Sequence, residues 1–152
     1  MNARTLGICA ALGSLAMMLG ALGFQYLGDL PPCKMCYWQR YPHIAAIGIG
    51  AIFYLTSLRF LLLLGGLSAL TTALIGVYHV GVEQKWWPGP DTCTSSSTDG
   101  LSVDELMTQI MTAPLVRCDE IAWSFMGLSM AGWNAVISFG LALLWIRAFQ
   151  RS

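Results

Sequence analysis

Four of the five cysteines in this chain have the types and spacing needed for disulfide exchange. Cys33 and Cys36 form a Cys-x-x-Cys motif, and Cys93 and Cys118 bracket the longest polar stretch. Two thiols at Cys-x-x-Cys spacing can close a small disulfide ring, which the thiolate of another cysteine can open again. The spacing favours a Cys33–Cys36 pair, although four cysteines allow three connectivities and the sequence alone leaves them open.

Long apolar runs separate the two polar gaps that carry these cysteines. Of the 152 residues, 56% are hydrophobic and 11% are charged, whereas soluble domains carry about 25% charged residues. Four runs, at residues 6–27, 41–58, 60–80 and 121–146, are close to the roughly 20 residues that cross a bilayer. They are rich in glycine and alanine, which lets membrane helices approach closely.

These runs predict an all-α fold, a transmembrane four-helix bundle in a single integral membrane domain that covers residues 1–152. Its outer loops would comprise residues 28–40 and 81–120. The first run could instead be a signal peptide, but it is longer than the roughly 7–15 apolar residues of such a segment. A net charge of zero argues against nucleic acid as a partner, since nucleic acid favours a basic surface.

Basic residues predict the orientation of the bundle. On one face the basic residues lie in very short segments beside the spans, namely Arg4, Arg59, Arg147 and Arg151. On the other face they are spread over long loops, namely Lys34, Arg40, Lys85 and Arg117. Positive charge concentrates on the cytoplasmic side of membrane proteins. We therefore expect both termini in the cytoplasm and the cysteine loops outside it, where disulfides persist.

The second loop contains a predicted amphipathic helix. Its apolar positions follow helical spacing: Val103, Leu106, Met107, Ile110 and Met111. Ser102 and Glu105 fit a capping box, and Pro114 would end the helix. Such a helix fits either the membrane interface or the top of the bundle, and the pattern does not separate the two.

Arg40 follows Cys36 by four residues, which is about one helical turn. A helix N-terminus and a nearby cation both favour a cysteine thiolate, and arginine keeps its charge. Arg40 therefore has two interpretations, a partner for a thiolate or a quinone oxygen, or an interfacial arginine that reaches towards lipid head groups. A four-cysteine zinc site is the alternative for the thiols, but the second pair lacks the required spacing. We predict no metal.

The chain resembles the bacterial disulfide bond formation protein B (DsbB) family of inner-membrane thiol oxidases. The segment from Pro32 to Arg40 is similar to that family's P-C-x-x-C-x-x-x-R signature. The sequence Trp-Pro-Gly-Pro ahead of Cys93 is similar to the start of its second loop. The segment after Cys118 is similar to its passage into the fourth span, with matching residues Asp119, Glu120, Trp123, Phe125, Gly127, Leu128 and Met130.

The resemblance implies an activity and a site. A periplasmic DsbA-like thioredoxin-fold oxidase would attack the Cys93–Cys118 disulfide at Cys93. Electrons would then pass through Cys118 to the Cys33–Cys36 pair, and Cys36 would pass them to a ubiquinone or menaquinone near Arg40. The chain is thus expected to be a quinone-dependent protein-disulfide oxidoreductase of the bacterial inner membrane.

The resemblance leaves the histidines and alternative functions open. His79 lies near the end of the third span, where the family has a histidine linked to quinone chemistry, but about two residues early. It is therefore either quinone-binding or a helix-end histidine with a local hydrogen bond. We expect His43 to be structural or pocket-lining and Cys9 to be a small buried hydrophobe. Alternative functions are a membrane protein whose disulfides only staple its loops, and a vitamin K epoxide reductase-like enzyme.

Overall fold

A computed structural model describes residues 2–93, 102–112 and 116–152. Within these residues the chain is mostly helical, and its elements in chain order are α1 Ala3–Tyr26, α2 Lys34–Thr56, α3 Phe60–Glu83, α4 Val103–Thr112, β1 Ser124–Phe125, β2 Leu128–Ser129 and α5 Met130–Gln150. Helix α3 packs against α2 and α5, and α1 packs against the same two helices from the other side. Helices α1, α3 and α5 are long and apolar enough to cross a membrane.

Three of the long helices begin at side chains that accept a backbone hydrogen bond. Asn2 caps α1 through the N–H of Thr5, at 2.8 Å. Ser129 caps α5 through the N–H of Gly132, at 3.1 Å. The cap of α2 is the sulfur of Cys33. Such caps satisfy N–H groups that a helix leaves unpaired at its start.

The packing at the end of the helices away from Cys33 depends on small residues beside one large side chain. Trp145 of α5 is fully buried in a core that also contains Leu62 and Ala69. A Cβ atom at Gly65 would lie 2.7 Å from the Trp145 ring, and Gly66 also faces this side chain. Glycines in α3 therefore allow α5 to approach closely, as the small residues in the sequence suggested.

The fourth apolar run is helical only from Met130 onwards. Residues 121–129 contain the β1–β2 hairpin, in which Phe125 pairs with Leu128. Its turn places Met126 at φ 51° and Gly127 at φ 80°, and this left-handed backbone cannot continue a helix. Trp133 Nε1 donates to the Phe125 carbonyl at 3.1 Å and fastens the hairpin to α5. Hydrophobicity alone did not predict this strand pair.

Helices α4 and α1 test two further expectations from the sequence. Helix α4 begins at the predicted capping box, because the Ser102 N–H donates to Glu105 at 2.8 Å. The proline predicted to end it, Pro114, lies outside the described residues. The expectation that Cys9 is buried was wrong, since its side chain is exposed. Helix α1 turns a different stripe inward, which includes Leu6, Ala10 and Ser14.

Candidate redox site

All four loop cysteines lie at one end of the helices, where α2 and α5 begin and α3 ends. Cys33, Cys93 and Cys118 belong to one buried cluster, against which Cys36 packs. Cys93 and Cys118 form a disulfide with Cα atoms 5.3 Å apart. The N–H of Cys118 also donates to the Cys93 carbonyl at 2.6 Å, so the two ends of the second loop are held together.

The inner pair consists of two free cysteines whose sulfur atoms are 2.9 Å apart. Cys33 is buried and Cys36 is partly exposed. Because the Cys33 thiol donates its hydrogen bond to Cys36, the pKa of Cys36 is lowered, with further help from the Arg40 charge. The same hydrogen bond, together with burial, raises the pKa of Cys33. Of the two, Cys36 is therefore the thiol that ionises first.

The two pairs meet at the buried sulfur of Cys33. The Sγ atoms of Cys33 and Cys118 and a ring nitrogen of His79 all lie within 4.8 Å of one another. A thiolate at Cys118 would therefore need only a short movement to reach Cys33. The disulfide between Cys93 and Cys118 occupies two of the four sulfurs that the zinc alternative would need as thiolates.

Arg40 lies half-buried between α2 and α1. Its guanidinium donates to Gln25 Oε1 at 2.7 Å and to the Ala21 carbonyl at 3.3 Å. The same group lies 5.3 Å from the centre of the Tyr37 ring, a cation–π distance. These contacts hold the charge at the protein's interior side, one turn below Cys36, and do not leave it pointing freely outward.

A cavity of about 460 Å³ lies beside this arginine. Most of its wall is apolar, and α1, α5 and the loop segments before α2 and before α5 contribute to it. Its polar wall includes Cys36, Arg40, His43, His79 and Glu83. Two buried atoms of that wall, His43 Nδ1 and Glu83 Oε2, have no hydrogen-bond partner within the described residues.

Such a cavity can hold a flat apolar ring with polar oxygens. Cavities of this size and composition are typical of small-molecule sites. A quinone fits it, because the apolar wall suits the ring and the Arg40 guanidinium can donate to a carbonyl oxygen. The sulfur of Cys36 would lie on the same wall, within the reach of such a ligand.

A buried polar network that the sequence analysis missed lies next to the cavity. Asn134 Nδ2 donates to Gln39 Oε1 at 2.7 Å, and Gln39 Nε2 lies 2.8 Å from His79 Nδ1. Thr72 donates its hydroxyl hydrogen to the Gln39 carbonyl at 2.9 Å. The available signal was Asn134 itself, because an amide inside an apolar run is costly unless it has partners.

An ion-pair cluster flanks Cys118. Arg117 makes two hydrogen bonds to Asp119, at 3.0 and 2.7 Å, and a 3.0 Å ion pair to Glu120. The Arg117 hydrogen bonds lower the pKa of the Asp119 carboxyl. Arg117 and Glu120 also line the cavity. The cluster therefore anchors the chain that carries Cys118 at the cavity rim.

Comparisons with known proteins identify one family. The family profile described as "Disulfide bond formation protein DsbB" matches residues 3–148. Two relatives carry the name "Disulfide bond formation protein B". The Pasteurella multocida protein is 32% identical over 92% of this chain and 85% of its own. The Hahella chejuensis protein is 28% identical over 97% of this chain and 94% of its own.

Proposed function

Because the chain belongs to the DsbB family of disulfide bond formation proteins, we propose that it reoxidises a DsbA-like thioredoxin-fold dithiol oxidase and passes the electrons to a membrane quinone. Its long helices would form a four-helix bundle in the bacterial inner membrane, with α2 as a fourth span. Both termini would face the cytoplasm and the cysteines the periplasm, as the distribution of basic residues favours.

The Cys93–Cys118 disulfide would receive the partner. A thiolate of the reduced oxidase attacks Cys93, and Cys118 leaves as a thiolate. Cys118 then lies within 4.8 Å of Cys33, so it can attack that sulfur when the inner pair is a disulfide. This second exchange releases Cys36.

Cys36 would pass the electrons on from the cavity wall. Its lowered pKa favours the thiolate, which is the electron-rich form. Arg40 would bind a carbonyl oxygen of the ligand and hold it one helical turn from this sulfur. A bound quinone supplies an acceptor for two electrons and two protons, and its apolar ring suits a site reached from lipid.

The closeness of Cys33 to Cys118, with Cys36 on the cavity wall, is the observation that carries this proposal. A protein whose disulfides only staple loops needs neither a second pair beside the first nor a thiol facing a cavity. Cys33 and Cys36 are only three residues apart, so a disulfide between them would join no two loops.

The test is quinone reduction by the purified protein with a reduced thioredoxin-fold oxidase. We expect turnover in the wild type and in Cys9→Ser, whose cysteine is exposed on α1 away from the site. Cys36→Ser should abolish turnover while leaving the Cys93–Cys118 disulfide intact. Full turnover in Cys36→Ser would show that electrons do not pass through the inner pair, and the loop-staple alternative would gain support if the wild type itself were inactive.

A further inference from the structure

The amide groups beside the inner cysteines have only one orientation that satisfies their neighbours. Asn134 Nδ2 lies 3.3 Å from the carbonyl oxygen of Thr72, and Gln39 Nε2 lies 3.4 Å from that of Met35. A backbone carbonyl can only accept a hydrogen bond. Each amide must therefore turn its NH₂ group towards that carbonyl. This also lets Asn134 donate to Gln39 Oε1 at 2.7 Å.

This orientation determines which nitrogen of His79 carries the proton. Gln39 Nε2 lies 2.8 Å from His79 Nδ1, and since the amide nitrogen donates, Nδ1 must accept. An accepting Nδ1 has no proton, so the imidazole is neutral and its one N–H is on Nε2. The chain of donors that starts at Asn134 in α5 thus ends in a directed N–H group on α3.

The Nε2–H group points into the region where the two cysteine pairs meet. Nε2 lies 3.7 Å from the Cys33 sulfur, a distance at which sulfur can accept a weak hydrogen bond. A ring nitrogen of His79 lies within 4.8 Å of both the Cys33 and the Cys118 sulfur. The nearest charged or titratable group is Glu83, 4.0 Å away on the same helix. Cys36 and Arg40 of α2, and Arg117 and Glu120 on either side of Cys118, line the same cavity. The imidazole also makes a hydrogen bond to the backbone of Cys118, which holds it beside the Cys118 chain.

We propose that His79, held as the Nε2–H tautomer by Gln39 and Asn134, donates a hydrogen bond to the sulfur of Cys33 while Cys118 exchanges with the Cys33–Cys36 disulfide. The inference rests on the proposed relay and adds a role that the quinone-ligand interpretation of His79 did not contain. His79 touches a reacting atom, whereas Gln39 and Asn134 act through it as positioning residues.

The exchange balances without any external reagent. The Cys118 thiolate forms a bond to Cys33 Sγ, the Cys33–Cys36 bond breaks, and Cys36 leaves with the electron pair as a thiolate. One negative charge enters and one leaves, and no proton is transferred. During the step the negative charge moves from the Cys118 sulfur through Cys33 to the Cys36 sulfur, and it is largest on the two outer atoms. A preorganised N–H beside Cys33 and in the same cluster as the Cys118 sulfur polarises the sulfur under attack at little reorganisation cost.

The test isolates this step in quinone-free protein in a Cys93→Ser background, where Cys118 cannot return to its own partner. The inner pair is oxidised at acid pH, exchange is started by a jump to neutral pH, and acid-quenched samples are alkylated. Mass spectrometry then follows the appearance of the free Cys36 thiol and of the Cys33–Cys118 disulfide.

The expected effects come from the loss or retention of one donor. His79→Met should slow the exchange about tenfold or more, as expected for a hydrogen bond to a charged acceptor. His79→Gln should restore most of the rate, because its amide nitrogen reaches about as far from the backbone as Nε2. The exchange rate of Gln39→Met should lie between those of His79→Met and His79→Gln. This variant keeps the imidazole but no longer fixes which of its nitrogens carries the proton.

Matched controls separate this role from a structural one. Thr72→Val removes the hydroxyl bonded to the Gln39 backbone. Thr71→Val changes the neighbouring exposed threonine, whose hydroxyl donates to the Leu67 carbonyl of its own helix. Thr71→Val should leave the rate unchanged. An unchanged rate in His79→Met, or equal slowing in His79→Met and His79→Gln, overturns the inference. If the Cys93→Ser protein with His79 intact forms no Cys33–Cys118 disulfide at all, the electron relay of the proposed function is contradicted, and not the role of His79 alone.

Discussion

The sulfur atoms of Cys33 and Cys118 lie within 4.8 Å of each other, although the two residues belong to different loops. A Cys36→Ser, Cys93→Ser double variant leaves these two cysteines as the only loop thiols. We expect mild oxidation to join them, because a disulfide needs only a short approach from this distance. Non-reducing proteolysis and mass spectrometry would detect the cross-link between the two loops.

The matched control for this cross-link is the Cys33→Ser, Cys93→Ser double variant, which keeps Cys36 and Cys118. Cys36 turns towards the cavity and packs at the edge of the buried cluster. Its cross-link to Cys118 should therefore form more slowly. Equal yields from both variants would contradict the assignment of Cys33 as the sulfur that receives the electrons.

Replacement of Arg40 should weaken the binding of quinone more than the binding of the thioredoxin-fold oxidase. Arg40→Ala removes the cation from the cavity wall and its hydrogen bonds to Gln25 and Ala21. We expect the quinone KM to rise about tenfold or more, which is the cost of a charge-assisted hydrogen bond, while the KM for the thioredoxin-fold oxidase changes little. Arg59→Ala, which removes an arginine at the opposite end of the long helices, serves as the control. A quinone KM unchanged in Arg40→Ala would reduce Arg40 to an interfacial anchor.

The two inner thiols should differ in the pH at which they react. Thiolates react with iodoacetamide and thiols do not, so a lowered pKa extends alkylation to lower pH and a raised pKa confines it to higher pH. In reduced, quinone-free protein, Cys36 should therefore be alkylated at lower pH than Cys33. Mass spectrometry of each peptide against pH gives both profiles. Arg40→Ala should move the Cys36 profile upward, since the Arg40 charge favours the thiolate; the reverse order of the two cysteines would contradict the shared hydrogen bond.

The close approach of α3 and α5 predicts a difference between two glycines. Gly65→Ala places a methyl group against the buried Trp145 ring, and such overpacking costs about 1–3 kcal/mol. A Cβ at Gly48 of α2 would meet no atom within 4 Å. Thermal unfolding in detergent should therefore show a lower Tm for Gly65→Ala and an unchanged or higher Tm for Gly48→Ala. Equal Tm values would mean that Trp145 can move away at no cost.

Much of the fold followed from hydrophobic run lengths and local end signals. The helices α1 and α3 cover the predicted runs at 6–27 and 60–80, and α4 begins at the expected Ser102 and Glu105. The β1–β2 hairpin could not be predicted this way, because residues 121–129 are as apolar as a span and their turn depends on backbone angles at Met126 and Gly127. The exposure of Cys9 could not be predicted, because the sequence does not show which stripe of α1 packs inward.

The site shows the same division between local and long-range information. The Cys-x-x-Cys spacing was enough to place Cys33 beside Cys36, and the helical turn was enough to place Arg40 near both. The contact between Cys33 and Cys118 and the hydrogen bond of Gln39 to His79 join segments far apart in the chain. No periodicity encodes such contacts, since they arise only when helices pack side by side.

The network from Asn134 to His79 also bears on when the protein acquires its reactivity during synthesis. Asn134 belongs to α5, which leaves the ribosome after the helices that carry Gln39 and His79. Until α5 docks, the Gln39 amide is oriented only by the 3.4 Å contact to the Met35 carbonyl of its own helix, and it lacks the shorter 2.7 Å hydrogen bond from Asn134. A chain whose α5 has not yet docked would thus have its thiols in place but a less firmly directed donor, and the docking of α5 would complete the arrangement for exchange.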